Sequence, residues 1–246
     1  MKNVKVILWA VLAFMLLGVG VARAEVNPAI YQKDLTADEV IKKIQNSEFL
    51  PLQLNHTSSF YDQAEKDRVL KVVKEQVKKH NNYQAHYNAA VVYATYPEFF
   101  GFDCWNTLNE HDAANAIRHA GLAIGFSPKT PYMYLLRGQV YFDQGVTYSA
   151  GAMEYYIISH DAAKKSLADF EKVMDLHPGL APYHDMAAIA RLLHKTDKAQ
   201  RYESLARVQE EALVKKQKEA SSKKVKDSFL KRLAKHMASQ RPQRAN

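Results

Sequence analysis

The sequence predicts an all-α protein built from antiparallel helix pairs. Apolar residues recur at three- and four-residue spacing through most of the chain, between residues that start and stop helices. No strong run of alternating apolar and polar residues occurs, so no sheet is required. The 246 residues are 47% hydrophobic and 24% charged, a composition that buries a core and excludes a wholly disordered chain. Nine Gly and eight Pro exclude a collagen-like or linker-dominated chain, and one Cys excludes a disulfide framework or a Cys-rich zinc fold.

Residues 1–24 read as an export signal. Lys2 and Lys5 precede an uncharged apolar run from Val6 to Ala22, and Ala22-Arg23-Ala24 places small residues where a signal peptidase reads. The run is only 17 residues long, at the lower limit for crossing a bilayer as a retained anchor, which is the rival reading. No later stretch approaches that length, so the mature chain is expected to begin near Glu25 and to be soluble outside the cytoplasm. Cys104 is then a small buried apolar residue, or pairs between molecules. Asn55-His56-Thr57 fits a glycosylation acceptor, relevant only in a host that glycosylates.

A segment over 25–81 opens with Thr36-Ala37-Asp38-Glu39, a capping box, flanked by Leu35 and Val40 at the positions of a hydrophobic staple. Val40, Ile41 and Ile44 form the buried stripe of that helix, and Pro51 closes the neighbourhood. Ser58 or Ser59 caps a second helix to about His80, with Phe60, Ala64, Val73 and Val77 on one side. Asn82 caps a third, over Tyr83 to Tyr96, stopped before Pro97. Asp112 starts a helix to Phe126, and Pro131 opens one that ends at Gly145. Asp161 starts a helix that ends before Pro178, and Pro182 opens another to about His194. Thr196 caps a long last helix that runs into the tail.

Charge divides the mature chain. Residues 25–214 hold 20 basic and 24 acidic side chains, whereas residues 215–246 hold 11 basic and two acidic. The net charge of +8 therefore belongs to the tail and the signal, not to the body. In the tail, Val225, Phe229, Leu230, Leu233 and Met237 share one helical face, with Lys224, Lys231, Arg232 and Lys235 around it. Such a basic amphipathic helix suits an anionic membrane surface, docking on the body, or simple solvation. Export argues against nucleic acid as a partner.

Residues 131–145, PYMYLLRGQVYFDQG, and 163–178, AKKSLADFEKVMDLHP, together resemble a tetratricopeptide repeat. Gly138 and Tyr141 match its Gly-x2-Tyr, Gly145 its mid-repeat glycine, Ser166 its small residue four before Phe170, and Pro178 its closing proline. A weaker copy carries Ala90, Tyr93, Ala116, Ala120 and Pro128 at the same offsets. A third starts at Ala181 with Ala188 at the glycine position and Arg191 in place of the tyrosine. The resemblance covers 82–214 and implies a short solenoid of stacked hairpins, in which small residues admit close approach and aromatics fill the gaps. Pro128 and Pro178 are 50 residues apart against a repeat of about 34.

The surplus lies between paired helices. The first insertion, PEFFGFDCWNTLNEH, carries Phe99, Phe100, Phe102 and Trp105; the second, VTYSAGAMEYYIISH, carries Tyr148, Met153, Tyr155, Tyr156, Ile157 and Ile158. Insertions in stacked repeats emerge on one face, which is often the binding face, so these aromatics either receive a partner or fold down as short helices over the core. The resemblance further implies a ligand groove lined by the first helix of each pair, here His86, Asn88, Arg137, Gln139 and Asp143, of which only Arg137 parallels the family's carboxylate-holding cations.

Catalytic patterns are weak. His-Glu-x-x-His, Gly-x-Ser-x-Gly and a phosphate-binding glycine loop are absent. His111-Asp112, His160-Asp161 and His184-Asp185 suggest a metal hydrolase, yet Asp112 and Asp161 also stand at predicted helix starts, where a negative charge favours the dipole. Cys104 has no assignable His–Asn partners for a thiol nucleophile. The expectation is a non-enzymatic scaffold without cofactor that binds another protein or peptide, with an anionic membrane as a second partner of the tail. The alternatives are a hydrolase using the His-Asp pairs and a membrane-surface protein acting through residues 215–246.

Overall fold

Local chemistry sets the first helix. Thr36 Oγ1 accepts from Glu39 N at 3.2 Å and Glu39 Oε2 accepts from Thr36 N at 2.8 Å, the reciprocal capping box the spacing predicts. The computed structural model describes residues 35–52, 63–95, 109–149 and 154–239, with side chains to residue 219. Its helices are α1 (Ala37–Gln45), α2 (Gln63–His80), α3 (Tyr83–Tyr93), α4 (Glu110–Phe126), α5 (Pro131–Gly145), α6 (His160–Leu176), α7 (Tyr183–Leu192) and α8 (Thr196–Ser239). A 3-10 turn, Pro178–Leu180, lies between α6 and α7. The described part is an all-α fold, with one exception: β1 (Val146–Ser149) and β2 (Glu154–Ile157) form an antiparallel ribbon between α5 and α6.

The predicted boundaries hold to within a few residues. Asn82 Oδ1 accepts from Ala85 N at 2.9 Å and starts α3, which stops at Tyr93 rather than Tyr96. The caps of α4 and α6 lie just upstream of the expected aspartates: Asn109 Oδ1 accepts from Asp112 N, and Ser159 Oγ from Ala162 N. Ser58, Ser59 and Phe60 lie outside the described residues.

The chain divides into two units, residues 1–206 and 207–246. In the first, helices pack in series, each of α1 to α6 on its successor, with α3 also touching α5 and α6 touching α7. α3 is buried nearly all round, from Ala85 to Tyr93, because α2, α4 and α5 surround it. α4 meets the core through alanines at three- and four-residue spacing, Ala113, Ala116, Ala120 and Ala123. Ala199, Tyr202 and Ala206 of α8 complete the core, while Lys198 Nζ and Tyr202 Oη donate to Glu171 of α6 at 2.5 and 2.6 Å. The second unit is the rest of α8, helical to Ser239; the predicted apolar face from Val225 to Met237 lies beyond the described side chains.

The α5–α6 pair shows why small residues stand where they do. A Cβ on Gly138 would sit 2.7 Å from the Phe170 ring, and Ser166 Oγ donates to Gly138 O at 2.8 Å. Gly145 has no left-handed backbone angle; it is needed because a Cβ there would come within 2.5 Å of Ala163 N. No described helix is long and apolar enough to cross a membrane, and residues 1–24 lie outside the described ones.

Candidate functional site

Lys66 organises the junction of three helices. Its side chain on α2 is 0% exposed, and Nζ donates to Asp112 Oδ2 at 2.6 Å, Thr95 O at 2.6 Å and Tyr93 O at 3.4 Å. Burial lowers the pKa of this amine and the Asp112 carboxylate opposes that shift, while the three acceptors suit the three N–H bonds of the charged form. Burial pushes the Asp112 carboxyl up, but hydrogen bonds from Lys66, Asn109 and His111 outweigh it and hold the group below its ordinary value. The cation thus meets the carbonyls at the end of α3 and the carboxylate in the first turn of α4, each at the favourable pole of its helix.

Next to this junction lie two buried histidines. His86 Nδ1 and His119 Nδ1 are 2.8 Å apart, and His86 Nε2 is 2.8 Å from Asn81 Oδ1. Because the amide oxygen only accepts, His86 carries its proton on Nε2 and its Nδ1 accepts from His119 Nδ1–H. His119 is left with a lone pair on Nε2. Its ring stacks on Tyr93 with centroids 5.6 Å apart and planes 8° from parallel. Burial, then His86 and Arg118, pull the His119 pKa down to about 4, and burial and Arg118 lower that of His86.

This pair makes stability depend on pH. A folded-state pKa below the unfolded value near 6.5 means that the unfolded chain binds more protons between the two values. The His119 contribution is therefore present above about pH 6.5 and is lost as pH falls toward 4, on the order of 3 kcal/mol. Urea titrations at pH 7 and 4.5 should show a much smaller acid loss for His119→Asn, whose Nδ2 takes the place of Nδ1 as donor to His86; an unchanged loss would contradict the pairing.

His119 lines a cleft of about 350 Å³ between α2 and α4. Lys74 and Lys78 stand along one wall, and His111, Asn115 and Arg118 along the other; Val73, Val77 and Tyr93 supply apolar lining. Among the described residues no carboxylate lines it and none pairs with Lys74, Lys78 or Arg118. The pattern was legible as Lys74 and Lys78 one turn apart and His111, Asn115, Arg118 and His119 on one side of α4, but only packing shows that these faces meet.

The expected groove residues are occupied internally. Arg137 Nε and Nη2 donate to Asp169 at 2.7 Å each, a bidentate pair joining α5 to α6. His86 is in the histidine pair, and Asn88 holds the backbone of Glu48 and Leu50. Of the His-Asp pairs, Asp112 serves Lys66, Asp161 pairs with Lys165 at 2.6 Å, and burial, reinforced by Asp143, raises the Asp185 pKa to about 6. Among the described residues no three His, Cys, Asp or Glu are grouped so as to share a metal ion.

The second insertion is the ribbon rather than extra helices. Tyr148 pairs with Tyr155 across the strands, their ring centroids 5.1 Å apart, and Tyr155 also meets Phe142 at 6.1 Å. Val146 and Ile157 on that same face pack on the core. The opposite face carries Thr147, Ser149, Glu154 and Tyr156, with Tyr156 43% exposed, and Ile158 just beyond β2 is 56% exposed. Strands of four residues are too short for a period-two signal to stand out, which is why the sequence did not announce them. Phe99, Phe100, Phe102 and Trp105 of the first insertion, like Met153 and Cys104, lie outside the described residues.

Fold and site together define an all-α protein of packed helix pairs with a basic cleft and an aromatic ribbon. No protein-family model matches the chain, and no curated protein matches it in sequence.

Proposed function

We propose that this chain is an exported, non-enzymatic scaffold of tetratricopeptide-like helix pairs that binds another protein or an envelope component through its α5–α6 ribbon. The observation that carries the reading is the ribbon's outer surface: Tyr156 on β2 and Ile158 just beyond it are large and exposed, and Tyr155, itself 40% exposed, packs with Tyr148 and Phe142 on the opposite face. A rigid aromatic edge offers contact area at little cost in side-chain entropy, as binding surfaces require. The close approach of Gly138 to Phe170 and the Ser166 bond to Gly138 O support the repeat-like assignment of the helix pair. The apolar run at residues 6–22 supports export.

The double variant Tyr156→Ser/Ile158→Ser tests the reading, because neither side chain serves the core and exposed substitutions change stability by only about 0.5 kcal/mol. Affinity capture from an envelope extract should recover a specific partner with the full chain and lose it with the variant, while the melting temperature stays unchanged. Capture of the same partner by the variant would remove the ribbon from the interface.

A further inference from the structure

We propose that the cleft between α2 and α4 binds a small organic anion, a carboxylate or phosphate group on an apolar body. This does not rest on the ribbon reading. The body of the chain, residues 25–214, has more acidic than basic side chains, yet the exposed Lys74, Lys78 and Arg118 line one cleft with no carboxylate among the described lining residues. Cations gathered without counterions repel one another, and an oxyanion placed between them relieves that repulsion while accepting charge-assisted hydrogen bonds. Val73, Val77 and the Tyr93 ring give the cleft an apolar part that inorganic phosphate would leave unused. About 350 Å³ equals the volume of roughly a dozen waters, which suits a small molecule and is too small for a nucleic-acid strand.

His119 is the second, independent mark of a site. It is 7% exposed, lines the cleft, and has one ring nitrogen committed to His86 and the other without a protein partner among the described residues. A buried nitrogen lone pair at the edge of a cationic cleft is a polar group that a ligand can satisfy. The charged and titratable groups around it are Lys74 and Lys78 from α2, His86 and Tyr93 from α3, and His111 and Arg118 from α4. A bound anion offsets the repulsion from Arg118, so Nε2 can take a proton from solvent and become a donor to the ligand oxygen. Anion binding is thereby coupled to proton uptake by the protein.

The site lies on α2 and α4, apart from the groove residues Arg137 and Asn88, which are engaged internally. Titration calorimetry of the full chain near pH 6 tests it with benzoate, phenyl phosphate, inorganic phosphate and neutral benzyl alcohol. The expected result is saturable binding of benzoate or phenyl phosphate, weaker inorganic phosphate, and no binding of the alcohol. The preference between the first two identifies the anionic group. Lys74→Gln and Arg118→Gln should each weaken binding about tenfold or more, as loss of a charge-assisted hydrogen bond does. Lys215→Gln/Lys216→Gln, in the basic tail, should leave it unchanged. Histidine NMR should show the His119 pKa rising when ligand is bound. No saturable binding, binding indifferent to Lys74 and Arg118, or equal weakening by the tail variant would overturn the assignment.

Discussion

Lys66→Met is expected to lower stability by about 3–5 kcal/mol, the cost of leaving a buried carboxylate without its cation. Asp112 is itself buried and keeps its charge through Lys66, Asn109 and His111. With methionine at 66, Asp112 must either remain charged in a poorly solvated place or take up a proton, and the carbonyls of Tyr93 and Thr95 lose their donor. For a single domain this is a large share of the total folding free energy. The companion Lys66→Met/Asp112→Asn removes the stranded charge and should recover much of the loss. Urea unfolding at pH 7 measures both variants. A loss below about 1 kcal/mol for Lys66→Met would place the pair among solvent-screened ion pairs and contradict its burial.

Phe170→Ala should cost about 3–5 kcal/mol by opening a cavity at the centre of the α5–α6 pair. The ring is fully buried and lies against Gly138, which has no side chain. The helices are held there by the Ser166–Gly138 hydrogen bond and the Arg137–Asp169 pair, so they cannot close freely over the void. The reciprocal change, Gly138→Ala, places a methyl 2.7 Å from the ring and should cost about 1–3 kcal/mol by overpacking. Because the two positions share one space, Gly138→Ala/Phe170→Leu should be less destabilised than the sum of its single variants. Thermal or urea unfolding of the set gives the coupling; strict additivity would show that the ring does not rest on Gly138.

Most of the helical layout was readable because helix ends are local events. Thr36, Asn82 and Pro131 act on atoms within about four residues or on the adjoining turn, so their spacing alone locates the starts of α1, α3 and α5. Gly138, Ser166 and Phe170 were also legible, as a repeat-like pattern, though the reason for Gly145 proved to be the approach of Ala163 rather than a turn conformation. The ribbon was missed because each strand contributes only two residues to each face. Arg137 read as a ligand-facing cation because its partner, Asp169, is 32 residues away.

What the sequence determined by itself was the all-α class, the order of the helices and the separation of an acidic body from a basic tail, since caps, periodicity and charge are written in neighbouring residues. Only the tertiary structure decided that Lys66 is interior, that His86 meets His119, and that the cationic sides of α2 and α4 face one cleft. A helix face shows its charge in the sequence but not its neighbour, and whether a lysine is solvated, neutralised or left waiting for a ligand depends on what the fold brings against it.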